Sequence, residues 1–183
     1  AHFGPSAIAG AINFITDVDY NNNFTINGFN SDNNSLDANY TKITENGWHL
    51  NFKGATTRNK TDSAIAGGNE IDGSKNAQIN LNAKKWLNNN LKFKSTFYSR
   101  KTNSDYDGSA TDENGYISDN RMHTFQAGLE HISKKSENNL IFHYHNYDRE
   151  YENAGVLDEY ESESLVVRGE SKVESTSKFS FGY

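Results

Sequence analysis

Apolar and polar residues alternate with a period of two along most of this chain. In the segment LKFKSTFYSR, Leu91, Phe93 and Phe97 share one side of an extended backbone, and Lys92 and Lys94 share the other. The same alternation recurs along the rest of the sequence, so an all-β fold is predicted. Nine strands are expected near 23–30, 34–43, 46–59, 75–86, 89–103, 119–133, 137–150, 159–171 and 174–183.

The predicted connections differ in length at the two ends of the strands. Short polar turns are expected at 44–47, 86–90, 133–138 and 171–174, whereas the connections at 60–74, 104–118 and 151–158 are longer and acidic. The acidic run Asp158, Glu159, Glu161 and Glu163 is expected to form a solvated loop and rim. Short turns at one end and long loops at the other are typical of transmembrane β-barrels of the outer membrane.

The composition narrows the fold further. Only 34% of the residues are hydrophobic and the mean hydropathy is -0.87, against about 45–50% apolar residues in soluble globular domains. Aromatic residues make up 13%, which argues against disorder. Strands with one buried face and one wet face account for both numbers, as in a barrel with a water-filled lumen. A soluble antiparallel sandwich remains the alternative, although its strands are typically only about 5–6 residues long.

Charge and residue usage exclude several function classes. The net charge is -6 and the cations are scattered, so no nucleic-acid partner is expected. The absence of cysteine excludes disulfides and thiolate metal sites. No nucleophile–base set is recognisable, so the chain is not expected to be an enzyme. His143 and His145 share one strand face, but a pair of imidazoles without a third ligand indicates ordinary hydrogen bonding rather than a metal centre.

The first residues of the chain differ in composition from the alternating segments. The segment HFGPSAIAGAINFIT at 2–16 resembles the C-terminal end of the plug domain in TonB-dependent outer-membrane receptors. The matching positions are Gly4, Ser6, Ala7, Ile8, Gly10, Ile12, Asn13, Ile15 and Thr16, while Ala9 replaces the first glycine of the usual pair. Small residues suit a strand packed closely inside a barrel wall.

This resemblance implies a 22-stranded barrel, with residues 1–20 as the end of the plug and residues 21–183 as its first strands. The chain is then expected to be part of a longer protein in the outer membrane of a Gram-negative bacterium. Its partners would be outer-membrane lipid and, through an N-terminal part outside this chain, a TonB-type energy-transducing complex. A small closed barrel of eight strands is the alternative of a different class.

The acidic connections carry the candidate metal chemistry. Glu70 and Asp72 are two residues apart and would project to one side of an extended chain; Asp107 and Asp119 flank the next loop, and Asp62 borders the first. Calcium takes 6–8 oxygen ligands, chiefly carboxylates and carbonyls. These five residues are therefore candidates to hold one or two calcium ions, the alternative being ordinary solvated acidic loops.

The resemblance also implies which molecule the protein would transport. The cobalamin receptors of the family carry calcium in these two loops, with motifs similar to Glu70–Gly73 and to Tyr106 and Asp107. It implies loop-ordering calcium, Tyr106 as a contact to the transported molecule, and cobalamin or a related corrinoid as that molecule. An iron siderophore, haem or another metal chelate is the alternative ligand, and binding measurements on the full-length protein would distinguish them.

Overall fold

In a computed structural model of the chain, residues 23–28, 33–62, 71–105, 116–153, 155–173 and 179–182 are described. They form nine strands and no helix: β1 (Asn23–Gly28), β2 (Asn34–Ile43), β3 (His49–Asp62), β4 (Ile71–Trp86), β5 (Leu91–Asp105), β6 (Tyr116–Ile132), β7 (Ser136–Asn153), β8 (Val156–Val173) and β9 (Phe179–Gly182). The predicted all-β fold is thus confirmed. The predicted plug segment 1–20 lies outside the described residues.

The strands form one antiparallel sheet in which spatial order follows sequence order from β1 to β9. The sheet is open, with β1 and β9 at its edges. In the described part of the chain, only strands consecutive in sequence contact each other. A sandwich requires a second sheet packed against the first, so this architecture does not fit that alternative.

The register gives the sheet one apolar and one polar face, because directly paired residues of an antiparallel sheet project to the same side. One row of paired residues defines the apolar face: Tyr40, Phe52, Leu81, Phe97, Phe125, Tyr144 and Leu165. A neighbouring row defines the polar face: Asn39, Lys53, Asn80, Tyr98, Thr124, His145 and Ser164.

Burial is inverted relative to a water-soluble domain. No hydrophobic side chain is buried among the described residues, and the buried polar residues Asn39, Asn51 and Ser118 all belong to the polar face. On the apolar face Leu140 is 53% and Leu165 62% exposed. The closest side-chain packing of this sheet is therefore on its polar face.

The short connections lie at one end of the sheet, the turn end. Between β2 and β3, Gly47 donates its N–H to the Thr44 carbonyl oxygen at 2.9 Å, and the Trp48 N–H donates to Thr44 Oγ1 at 3.0 Å. Gly47 has a φ of 78°, a left-handed conformation that glycine adopts without steric cost. Asn88 closes the β4–β5 turn, because its Oδ1 accepts the N–H groups of Asn90 and Leu91 at 2.9 Å each.

At the opposite end of the sheet, the loop end, one connection differs from the prediction. The strands extend into the expected loops, leaving 63–70 and 106–115 outside the described residues. The expected loop at 151–158 is wrong: only residues 154 and 155 separate β7 from β8, and Gly155 has a φ of 86° that permits this tight connection. The acidic residues assigned to that loop and rim lie instead within exposed β8.

Substitution of Gly47 tests the turn. Gly47→Val is expected to destabilise the fold by about 1–2 kcal/mol, because a side chain in the left-handed region strains the backbone. Gly47→Asn should cost less, since asparagine tolerates that region and nothing lies within 4 Å of an added Cβ. Equilibrium urea unfolding measures both variants. Equal stabilities for Val and Asn at this position would contradict the assigned turn geometry.

Candidate functional site

Along the sequence, the candidate calcium residues belong to the two connections at the loop end, where β3 leads to β4 and β5 leads to β6. Asp62 is the last residue of β3 and is paired with Ile71. Glu70, Tyr106 and Asp107 lie outside the described residues. The side chains that can be placed are those of Asp72 in β4 and Asp119 in β6.

The sheet does not bring Asp72 and Asp119 together. Asp72 shares its side of β4 with Asn80, on the polar face, whereas Asp119 shares its side of β6 with Phe125, on the apolar face. Side chains on opposite faces of one sheet cannot chelate the same ion within the strands. Within the described ranges, no group of three or more His, Asp or Glu residues is arranged to hold a metal ion.

Asp119 is occupied by cations instead. The Lys101 Nζ lies 3.0 Å from its Oδ2, and the Arg121 Nε lies 3.3 Å from its Oδ1. The second contact is electrostatic and lacks hydrogen-bond geometry, so Oδ1 is buried without a hydrogen-bond donor. Arg121 also lies 3.9 Å from Glu150 on β7. A calcium ion bound at Asp119 would have to displace both Lys101 and Arg121.

One carboxylate at the loop end is absent from the predicted set. Asp105, the last residue of β5, accepts the N–H of Gly73 at 3.0 Å through Oδ2. A Cβ at position 73 would lie only 3.1 Å from that oxygen, so the contact favours glycine there. The signal was present in the sequence, because Asp105 and Asp107 have the same two-residue spacing as Glu70 and Asp72.

The polar face carries a network of amides across β2–β5. Asn51 Nδ2 donates to Asn39 Oδ1 at 2.8 Å and to Thr41 Oγ1 at 2.9 Å. Asn82 Nδ2 donates to Asn51 Oδ1 at 3.3 Å, and Thr96 Oγ1 donates to Asn82 Oδ1 at 2.9 Å. With 3% exposure, Asn51 is the centre of this network. Periodicity predicted the polar face, but the individual bonds depend on the register between strands.

Beside this network the polar face is indented. A depression of about 340 Å³ is lined by side chains that include Asp37, Asn39, Lys53, Gln78 and Tyr98. The Tyr98 hydroxyl donates to Gln78 Oε1 at 3.3 Å across one edge of it. Hydrogen-bonding groups of both kinds and both charges therefore face into a shallow, open surface, which suits water and polar solutes.

The two histidines also lie on the polar face. Their rings stack with centroids 6.5 Å apart, and His145 Nδ1 is 3.0 Å from Thr124 Oγ1. His145 thus has the hydrogen-bonding role that the sequence predicts for it.

Comparisons with known proteins do not assign the chain to a family. No protein-family model matches it, and no curated protein sequence matches it significantly. The functional argument therefore depends on the two faces of the sheet and on the resemblance of its first residues.

Replacement of Asn51 tests the amide network. Asn51→Ala is expected to lower the free energy of unfolding by about 1–3 kcal/mol, because it removes the hydrogen bonds that the buried Asn51 amide makes with Asn39, Thr41 and Asn82. Asn89→Ala provides a control for asparagine loss at an exposed turn position. Urea unfolding measures both, and a smaller effect at position 51 than at 89 would contradict the central role of Asn51.

Proposed function

We propose that this chain forms part of the wall of a transmembrane β-barrel in the outer membrane of a Gram-negative bacterium. The observation that carries the proposal is the continuous apolar face across β2–β8, on which no described hydrophobic side chain is buried. Contiguous exposed apolar surface of this kind marks an interface with protein or lipid. A band that spans every strand at a similar height fits lipid, since a lipid bilayer is the partner that surrounds a whole barrel.

The height of the apolar band supports a bilayer. On the apolar face of β4, Lys75 and Lys85 bracket the band; on β6, Arg121 and His131 do so, and His123 is the one polar side chain between them on that face. Ten residues separate each pair, which corresponds to about 34 Å along a strand. Projection along a tilted strand reduces this to somewhat under 30 Å, close to the ~25 Å apolar band of outer-membrane barrels.

The slope of the band supports tilted strands. In β3 the charged edge of the apolar band lies at Arg58. The row of directly paired residues that begins at Arg58 reaches Glu159 in β8, whereas the charged edge of the band in β8 lies at Glu163. The edge has therefore moved four residues, about 14 Å, across five strand spacings of about 4.8 Å each. This is a slope of about 30°, near the 35–45° tilt typical of closed barrels.

The polar face is then the lumen. Its amides, hydroxyls and lysines would face water or a plug, and the depression beside Tyr98 would be part of the inner wall. Strands β3–β8 contain 14 to 18 residues, more than the ~9–11 needed to cross a bilayer. Their loop ends would project beyond the membrane.

The role we infer is that of a TonB-dependent receptor for uptake of a large scarce nutrient. The plug-like sequence of residues 2–16 and the long acidic loops support this role. The proposed ligand is cobalamin or a related corrinoid, contacted by Tyr106, with a siderophore or haem as the second candidate. Energy would come from a TonB-type complex. No enzymatic activity is proposed.

We also propose that calcium orders the loops at 63–70 and 106–115. The candidate ligands are Asp62, Glu70, Asp72, Asp107 and Asp119, to which Asp105 is added. Because Asp72 and Asp119 belong to opposite faces, the ligand set divides into at least two groups. One would include Asp72 and the other Asp105, so two ions fit this arrangement better than one.

Single-cysteine scanning tests the membrane wall, and the absence of native cysteine in this chain makes it practical. Cysteines at Leu81, Phe125 and Phe142 are expected to resist a water-soluble thiol reagent in intact outer membranes, since they would face lipid. Cysteines at the adjacent Asn82, Thr124 and His143 should react, since they would face a wet lumen. Reaction is measured as labelled fraction after a fixed time.

The control is the same set of variants in urea, where all six cysteines should react alike. Equal labelling of both sets in membranes, or labelling of the apolar set alone, would contradict the proposal.

Limited proteolysis tests the calcium sites. Millimolar calcium is expected to slow cleavage within 63–70 and 106–115 several-fold relative to chelator, because several carboxylates that bind one ion restrict the backbone between them. Asp72→Asn and Asp105→Asn should each reduce this protection, whereas Asp158→Asn, at the short β7–β8 connection, should not. Identical cleavage rates with calcium and with chelator would rule out loop-ordering calcium.

A further inference from the structure

Charge is segregated on the apolar side of the sheet, just beyond the apolar band toward the loop end. The part formed by β3–β6 is predominantly cationic, because Arg58, Lys60, Lys75, Lys101 and Arg121 outnumber Asp105 and Asp119 among the side chains that the structure describes there. The part formed by β7–β8 is acidic and contains Asp148, Glu150, Glu159, Glu161 and Glu163. The two parts would therefore present opposite potentials to whatever surrounds the wall at this height.

Two of the cations face each other without compensation. Arg58 in β3 and Lys75 in β4 are directly paired across the strands, and like charges in that position repel. Both side chains are exposed, and neither forms an ion pair with a carboxylate of the described residues. Lys101, on the next strand, adds a third positive charge that Asp119 partly neutralises. An external anion would relieve this repulsion.

An apolar groove begins beside these cations. It has a volume of about 380 Å³, with small residues such as Ala38, Gly54 and Ala77 forming its floor and Ile79 in its wall. Lys101 lines it as well. At Gly54, an added Cβ would lie 3.2 Å from the Phe52 ring, so the ring leans over the glycine and narrows the groove there. The groove is thus apolar along its length and cationic at one end.

We propose that this groove binds one acyl chain of a phosphorylated membrane lipid, whose phosphate lies between Arg58 and Lys75. The inference depends on the proposed function, since it requires the apolar face to lie in a bilayer. The charged edge of the band coincides with the headgroup level, where long cationic side chains extend toward phosphates. The acidic part on β7–β8 would repel the same headgroup, so binding is local to β3–β5.

Quenching by brominated lipids tests the site in the whole protein, in a cysteine-free background, reconstituted into phosphatidylcholine vesicles. A fluorophore is attached at Leu36→Cys, at a residue that lines the groove, or at Leu165→Cys, just below acidic Glu163. The measured quantity is the association of brominated phosphatidic acid relative to brominated phosphatidylcholine. We expect about five-fold or greater enrichment at position 36, and a value near one at 165.

Variants separate the roles of charge and groove. Arg58→Gln together with Lys75→Gln should reduce the enrichment at position 36 to near one, because the phosphate loses both cations. Ala77→Phe should also reduce it, by filling the groove while keeping the charges. Lys53→Gln removes a charge from the polar face of β3 and should leave the enrichment unchanged.

The outcomes distinguish this inference from the proposed function. Strong quenching by both lipids without enrichment at position 36 would overturn the lipid site and leave the membrane wall intact. No quenching by either lipid at either position would overturn the membrane wall itself. Inorganic phosphate at the same concentration as the lipid should not abolish the enrichment; if it does, the site binds phosphate alone and the acyl-chain groove is wrong.

Discussion

The constraint on which the rest of this structure depends is that backbone groups of each strand are paired with neighbouring strands, while the side chains of the two faces require different solvents. Strands in lipid have no water to satisfy their N–H and C=O groups, so each must be paired on both sides. The antiparallel register supplies that pairing on both sides over most of β3–β7. It also fixes which residues lie on the apolar face, since a shift by one residue would exchange the faces.

Polar interactions in this sheet replace the apolar core of a soluble domain. The buried Asn39 and Asn51 are joined by a hydrogen bond, and Asn82 continues the chain of amides to Thr96. The exposed leucines and aromatic residues of the other face would favour aggregation in water. In a bilayer the same residues are in their preferred environment.

The edge of β8 illustrates the constraint on backbone pairing, because β9 pairs with only Glu170–Val173 among the described residues. In lipid, the remainder of that edge needs a further strand segment.

Periodicity predicted most of the fold, because the alternation of residues such as Leu140, His143 and Phe142 is a local property of the chain. It failed at residues 151–158, where acidic composition indicated a loop. Composition does not reveal that Gly155 can reverse the chain within two residues. Prediction of which candidate calcium ligands lie together was limited for a different reason. Spacing along one strand indicates which carboxylates share a side, but the opposite placement of Asp72 and Asp119 depends on register between strands, which no single segment contains.

The ion pairs of Asp119 connect the two sites proposed at the loop end. While Asp119 holds Lys101 and Arg121, it lowers the positive charge next to the groove, and Arg58 and Lys75 remain without an ion pair to any described carboxylate. Calcium at Asp119 would release Lys101 and Arg121 and so strengthen attraction of a lipid phosphate. Calcium confined to the groups around Asp72 and Asp105 would leave those ion pairs intact. The lipid site and the calcium sites are therefore coupled only if Asp119 is a calcium ligand, and its present partners argue that Asp119 serves the wall rather than the loops.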